Sequence, residues 1–196
     1  SNKLIVMKRI ITIICAIILL TPGKKIDAQT AEEIKAYMDF VTPGAMHKWL
    51  ASFEGTWEAY AISYMNPVKP DTSKLTQTYS MILSGLYQEA KITGEMMGMP
   101  FEGRSWSGFV NAKKKFVMTW VDNVSSGTTY LTVEYDAATK TLNLKGTQTN
   151  PTNGKDMNIR EVLKVIDTNT YTLTMYGDGP DGKEIKFMEG TFKRKK

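Results

Sequence analysis

From Gly55 to the C-terminus the chain runs as short segments rich in Thr, Tyr, Val, Ile and Phe, each about 7 to 12 residues long and separated by turn residues. This rhythm predicts ten strands: Thr56–Met65, Lys74–Leu83, Tyr87–Glu95, Phe101–Val110, Phe116–Asp122, Thr128–Tyr135, Thr141–Thr149, Asp156–Ile166, Thr170–Tyr176 and Glu184–Lys195. The connectors, among them Ser84-Gly85, Gly98-Met99-Pro100, Ser125-Ser126-Gly127 and Asn150 to Gly154, are too short to carry a crossover helix. Sequential antiparallel pairing, a meander, is therefore expected rather than a parallel sheet. Within strands the side chains alternate. Phe116, Met118 and Trp120 point one way and Val117, Thr119 and Val121 the other, while Leu142 and Leu144 separate from Thr141, Asn143 and Lys145. A ten-stranded meander with one apolar face must close on itself or fold into two packed sheets, because an open sheet leaves long edges unpaired and apolar surface wet. Closure is the expectation: a mainly β chain whose residues 55–196 form a single antiparallel up-and-down barrel.

Ahead of the strands, residues 29–54 carry a helical pattern. Thr30 is a candidate cap for a helix with early acids and apolar groups at Ile34, Tyr37, Met38 and Phe40. Thr42-Pro43-Gly44 interrupts it. A second short helix then follows from Ala45 to Phe53, with Met46, Trp49, Leu50 and Phe53 on its apolar face. Further upstream, Lys8 and Arg9 precede the apolar run Ile10 to Leu20, and a polar stretch ends in Asp27-Ala28-Gln29. That order predicts an export signal over residues 1–28, cleaved near Ala28, and hence a periplasmic or secreted protein. Residues 1–6 precede Met7, the more natural start of such a signal. The apolar run, at about 1.5 Å per helical residue, reaches roughly half of the ~30 Å hydrocarbon core, so no stable membrane span is expected once it is removed.

Composition narrows the choice further. The 196 residues are 42% apolar and 23% charged, which suits one globular domain. The formal charge of +5 would suggest a nucleic-acid partner, but Lys3, Lys8, Arg9, Lys24 and Lys25 against Asp27 place +4 of it in the first 28 residues. The remainder carries only +1 and offers no basic footprint for a phosphate backbone. The runs Lys113-Lys114-Lys115 and Lys193-Arg194-Lys195-Lys196 read as solvated charge at a turn and at the chain end. Cys15, the one cysteine, lies inside the signal behind Ile14, where lipidation is not expected. The body thus has no thiol for a nucleophile, a zinc-thiolate centre or an iron–sulfur cluster.

The remaining candidates for chemistry are few. His47 is the only imidazole, and no Gly-x-Ser-x-Gly elbow supplies it with a nucleophile, since Ser84-Gly85, Ser107-Gly108 and Ser126-Gly127 are turn or strand residues. A lone His does not make a zinc site. Met96, Met97 and Met99 form a soft-ligand cluster that could interest Cu(I), but methionine more commonly fills irregular apolar space, and a rim position is expected for these three. No metal and no cofactor is expected. Glu89, Glu95, Glu102, Glu134, Glu161 and Glu189 fall within strands, accompanied by Arg104 and Arg160. An inward Arg could hold a ligand headgroup bidentately. Arg160 and Glu161 are adjacent, so normally only one of them faces the interior.

Several motifs occur in an order that resembles a known bacterial family. They are Thr42-Pro43-Gly44-Ala45-Met46-His47-Lys48-Trp49-Leu50 leading into Gly55-Thr56-Trp57-Glu58, then Met96-Met97-Gly98-Met99-Pro100-Phe101-Glu102-Gly103, then Asn111 to Asp122, Tyr135 to Leu142 and Gly179 to Glu184. The family is domain of unknown function 1579, and the likeness spans roughly Pro43 to Arg194. It implies no activity. Gly55-Thr56-Trp57 is also similar to the first-strand signature of the lipocalin and fatty-acid-binding group, whose barrels enclose small apolar ligands. That resemblance implies a structural pair at the barrel floor, Trp57 covered by Arg194 or by Lys193, worth about 0.5–2 kcal/mol as a cation–π contact. Haem-binding barrels of similar shape carry an axial His on the late strands; His47 precedes the first strand, so haem is not expected.

The leading functional expectation is an exported lipocalin-like barrel that binds a small apolar or amphipathic molecule without transforming it. Met96, Met97, Met99, Phe101, Arg104, Trp106, Trp120, Tyr130 and Arg160 are the expected ligand-binding residues. The alternatives are a barrel isomerase or hydrolase using His47 or an inward Glu as base, and a pocketless envelope scaffold that exposes an apolar patch near Trp49.

Overall fold

The computed structural model describes residues 30–66, 68–179 and 181–196; the expected export signal at 1–28 lies outside the described residues. The chain divides into two units, residues 1–36 and 37–196. Helix α1, Ala31–Val41, crosses that boundary. Its first turn is held by a reciprocal capping box, Glu33 N donating to Thr30 Oγ1 (3.1 Å) and Thr30 N to Glu33 Oε2 (2.8 Å). The apolar groups Ile34, Tyr37, Met38 and Phe40 are exposed. At its C-terminal end Asn111 Nδ2 donates to the carbonyls of Asp39, Phe40 and Thr42, groups that the helix cannot satisfy itself.

Helix α2, Ala45–Ala51, starts at Gly44, whose N–H donates to His47 Nδ1 at 2.9 Å. Ten strands follow: β1 Gly55–Ser63, β2 Asp71–Ile82, β3 Tyr87–Met96, β4 Met99–Val110, β5 Lys115–Asp122, β6 Thr129–Asp136, β7 Thr141–Thr149, β8 Asp156–Asp167, β9 Thr170–Asp178 and β10 Glu184–Arg194. Each pairs antiparallel with the next, and β1 pairs with β10 from Trp57↔Arg194 to Ser63↔Met188, so the sheet is a closed up-and-down barrel. No described helix is long and apolar enough to cross a membrane.

One turn differs from expectation. The β3–β4 hairpin turns on Met97-Gly98, with φ of +52° and +74°, rather than on Gly98-Met99-Pro100. Two successive positive φ values match the twist of the flanking strands, so Met99 and Pro100 already belong to β4.

Alternation places Trp57, Ala59 and Ala61 of β1, Leu131 and Val133 of β6, and Leu142 and Leu144 of β7 inside. Helix α2 plugs one end of the barrel. Phe53, just after it, packs with Trp57, Leu75, Tyr171 and Phe192, while Leu50 packs with Phe116, Val133, Leu144 and Ile159. Full burial of such side chains stabilises the fold by about 1.5–3 kcal/mol each. Gln88 Nε2 donates to the Leu50 carbonyl and fastens the plug to β3.

The floor pair forms as the resemblance implied, with Arg194 rather than Lys193. The Arg194 guanidinium lies 4.3 Å over the Trp57 ring and donates to the carbonyls of Ser52, Glu54 and Thr168. Trp57 Nε1 in turn donates to the Phe53 carbonyl at 2.8 Å. This network ties the plug to both strands at the seam where the barrel closes.

Candidate functional site

Between the α2 plug and the opposite end, the barrel encloses a cavity of about 300 Å³. Its walls are largely apolar, with Leu75, Ile92, Phe101, Phe116, Leu163 and Met188 among them. Met96, Asp122, Val124 and Gln148, which lie at the strand ends away from α2, line its outer part. Trp120 lies nearly parallel to Phe101 (21°, 6.4 Å between centroids), and its Nε1 donates to Asp122 Oδ2 at 2.7 Å. The indole rests on Gly103, where a Cβ would come within 2.4 Å of the ring. A glycine is therefore what allows Trp120 to lie flat along the wall.

Polar side chains also line this space, among them Gln88, Ser105, Thr129 and Gln148. Tyr79 and Tyr171 share a hydrogen bond between hydroxyls at 2.8 Å, and the Tyr171 hydroxyl donates to Gln77 Oε1 at 3.4 Å. Burial pushes the Tyr79 phenol up to about 12 and the Tyr171 phenol well above its ordinary value, so both stay neutral. Glu161 is the exception in character. It projects from the middle of β8, only 7% exposed, between Leu144 of β7 and Met175 of β9. It has no hydrogen-bond or ion-pair partner among the described residues, and desolvation pushes its carboxyl up to about 7. Its charge also disfavours ionisation of Tyr79.

Phe101 and Trp120, expected in the wall, and Met96, expected at the rim, line the cavity. Of the other six expected binding residues, four face outward from their strands, and their assignment to the lumen is corrected. Arg104, Trp106 and Tyr130 occupy outward positions, because the inward parity of β4 falls on Phe101, Gly103 and Ser105 and that of β6 on Thr129, Leu131 and Val133. Arg104 pairs there with Glu102, its same-face neighbour, at 3.0 Å. Arg160 also lies outside, bidentate to Glu184 at 2.8 and 2.7 Å and stacked 3.8 Å over Tyr176. Glu161 is thus the inward member of the adjacent pair. Met97 sits in the β3–β4 turn at the outer end of the cavity and Met99 is half exposed just beyond it, at the expected rim, and of the three methionines Met96 lines the cavity.

His47 does not face the cavity. It is buried at the start of α2, edge-on to Phe109 (6.1 Å), and lines a separate pocket of about 100 Å³ with Phe40, Tyr87 and Asn111. Burial lowers its pKa. A role as base toward a guest in the barrel is therefore corrected. So is the exposed patch at Trp49, which packs on Phe53, Phe116 and Tyr135 and lines the cavity from the plug side.

The sequence reading passed over Gln77, Gln88, Tyr79 and Tyr171 as site residues. Their signal was parity: Gln77 and Tyr79 alternate with exposed Thr76 and Thr78, so a polar residue on the buried face of β2 marked the polar part of the interior.

The family model described as "Protein of unknown function (DUF1579)" matches residues 42–194. No curated protein matches the chain. Among solved structures, the crystal structure of Rv2717c from M. tuberculosis is similar with a TM-score of 0.60 at 8% identity, covering 79% of this chain and 100% of that one. At that identity the likeness concerns the fold alone. A redesigned beta barrel, b11L5F_LGL, is similar at 16% identity with a TM-score of 0.39, covering 75% of this chain and 95% of that chain.

Proposed function

Since this chain belongs to the DUF1579 family, whose description assigns no activity, we propose from the site itself that it is an exported barrel that holds a small apolar or amphipathic molecule in its lumen. The observation that carries this reading is the cavity of about 300 Å³ walled by apolar side chains, with a small polar group of Gln77, Tyr79, Tyr171 and Glu161. Ligand sites have this character: a concave apolar volume with a few placed polar groups, starting near 300 Å³. At about 30 Å³ per water-sized group, the volume takes about ten non-hydrogen atoms. Export rests on Lys8, Arg9 and the run Ile10 to Leu20. Native mass spectrometry of protein purified from its own host tests the reading. A co-purifying molecule of about this size supports it, and repeated recovery of empty protein that also takes up no octanol overturns it.

One observation favours a second reading. A carboxyl held near neutrality beside a bound guest suits a general base, and Glu161 is such a group. Solvent-deuterium exchange at the α-carbons of 2-octanone, accelerated by the protein and lost in Glu161→Gln, would select proton transfer over simple holding; no acceleration would discard it.

A further inference from the structure

The geometry points to a selective lumen: it accepts a guest whose apolar skeleton ends in a protonated amine, which pairs with Glu161, and it rejects the corresponding carboxylate. This inference rests on the lumen-binding reading above and names the chemical class of the guest.

The first support is the placement of charge. Arg104 and Arg160, the two cations that could have held an anionic headgroup, are both spent on the outer surface against Glu102 and Glu184. Among the described residues no Lys, Arg or His lines the cavity. A carboxylate entering it would be desolvated without a counter-charge, at a cost of several kcal/mol for an unpaired ion.

The second support is Glu161 itself. A buried carboxyl normally has its oxygens hydrogen-bonded. This one is more than nine-tenths buried, has no hydrogen-bond or ion-pair partner among the described residues, and lines the cavity. The groups packed around it do not supply a charge. Leu144 and Met175 flank it on β7 and β9. The titratable groups lining the rest of the cavity are Tyr79 on β2, Tyr171 on β9 and Asp122 on β5; the phenols stay neutral, and Asp122 is occupied by Trp120 Nε1 and the Val124 N–H. The plug contributes Trp49 and Leu50, with Phe53 behind them. A primary ammonium would bring both the opposite charge and the donors that the carboxylate oxygens lack. Its alkyl body would lie along the wall that Phe101 and Trp120 form.

Calorimetric titration of the full chain with octylamine, octanol and octanoate, three probes with one skeleton, tests this at pH 8.0 and pH 5.5. Octylamine is cationic at both, whereas Glu161 changes state between them. We expect octylamine to bind at least tenfold more tightly at pH 8.0 than at pH 5.5, octanol to change less than threefold, and octanoate at pH 8.0 to bind at least tenfold more weakly than octanol. In Glu161→Gln the octylamine affinity should fall at least tenfold at pH 8.0 and lose its pH dependence. The pH comparison needs no variant, so it decides the matter even if the substitution impairs folding. Binding of octanol together with octylamine affinity that ignores pH, or with octanoate bound as well as octanol, overturns amine selectivity and leaves the lumen reading standing. Failure of all three probes to bind overturns both.

Discussion

Glu161 and His47 are buried groups whose ionisation acts on stability in opposite directions. Glu161 is raised in the folded state, from about 4.5 to about 7, so the folded protein binds the extra proton between those values. Its contribution is complete below about pH 4.5 and is lost as pH rises through about 7, roughly 2–3 kcal/mol between pH 5 and 8. His47 is lowered, so its contribution is present above the ordinary imidazole value and is lost as pH falls through its folded pKa. Below about pH 6.5 the two effects oppose each other, so denaturant unfolding should show a decline mainly between about pH 6.5 and 8, and Glu161→Gln should remove that decline and leave stability falling only as pH falls. Persistence of the full decline in that variant would mean that another group causes it. Arg194 is a residue of a different kind, because its planar fork serves a ring and three carbonyls at once. Arg194→Ala should cost about 2–3 kcal/mol in chemical denaturation, and Arg194→Lys should recover less than half, since an ammonium cannot span the same acceptors. The likeness at Gly55-Thr56-Trp57 and the late basic residue made this pair legible. The inward choice of Glu161 over Arg160 was not, because alternation separates two neighbours without saying which of them faces in.

At the level of elements, strand existence followed from the β-branched and aromatic segments between turn residues, and all ten expected strands are present with small shifts at their ends. The β3–β4 hairpin shows where local chemistry was misread. Proline drew the expected turn one step too far, whereas the chain spends its positive φ on Met97 and Gly98 and accepts Pro100 near the start of a strand. A side chain with a β-carbon at φ +52° is strained, and Asn-Gly is the favoured pair for such a turn. Met97→Asn should therefore raise stability by about 0.5–1 kcal/mol in thermal or denaturant unfolding, without altering octanol binding, because Met97 does not line the cavity. A loss of stability would indicate that the methionine side chain contributes more than its exposed position suggests. On β4, residue size misleads: Trp106 looks like core, but the inward positions are Gly103, Ser105 and Ser107. Gly103 sits there because the Trp120 ring, from the next strand, lies against it where a Cβ would be.

For the barrel domain, every pairing but one joins consecutive strands, and the exception, β1 with β10, brings Trp57 to Arg194 across almost the entire domain. Closure removes both sheet edges and creates the interior volume. Whether that volume is filled by side chains or left open depends on the sizes of inward residues on different strands, and here the small Ala61, Ser105, Ser107 and Gly190 leave room. Ser105→Leu should occupy part of it. We expect at least tenfold weaker octanol binding by calorimetry with stability unchanged or raised, since the added methylenes bury apolar area. Unchanged affinity would place the guest elsewhere.

The sequence alone determined what depends on neighbours along the chain: strand and helix positions, the meander order, alternation within each strand, and the absence of thiol chemistry from the body. Those properties follow from spacing and residue type. The tertiary structure decided what depends on strands distant in sequence: which face of β4, β6 and β8 points inward, that α2 plugs one end, that Arg104 and Arg160 find partners outside, and that Glu161 faces a largely apolar space with no partner among the described residues. Each of these is a sum over contacts between separate strands, where the size and charge of one side chain set what its neighbour across the lumen can do.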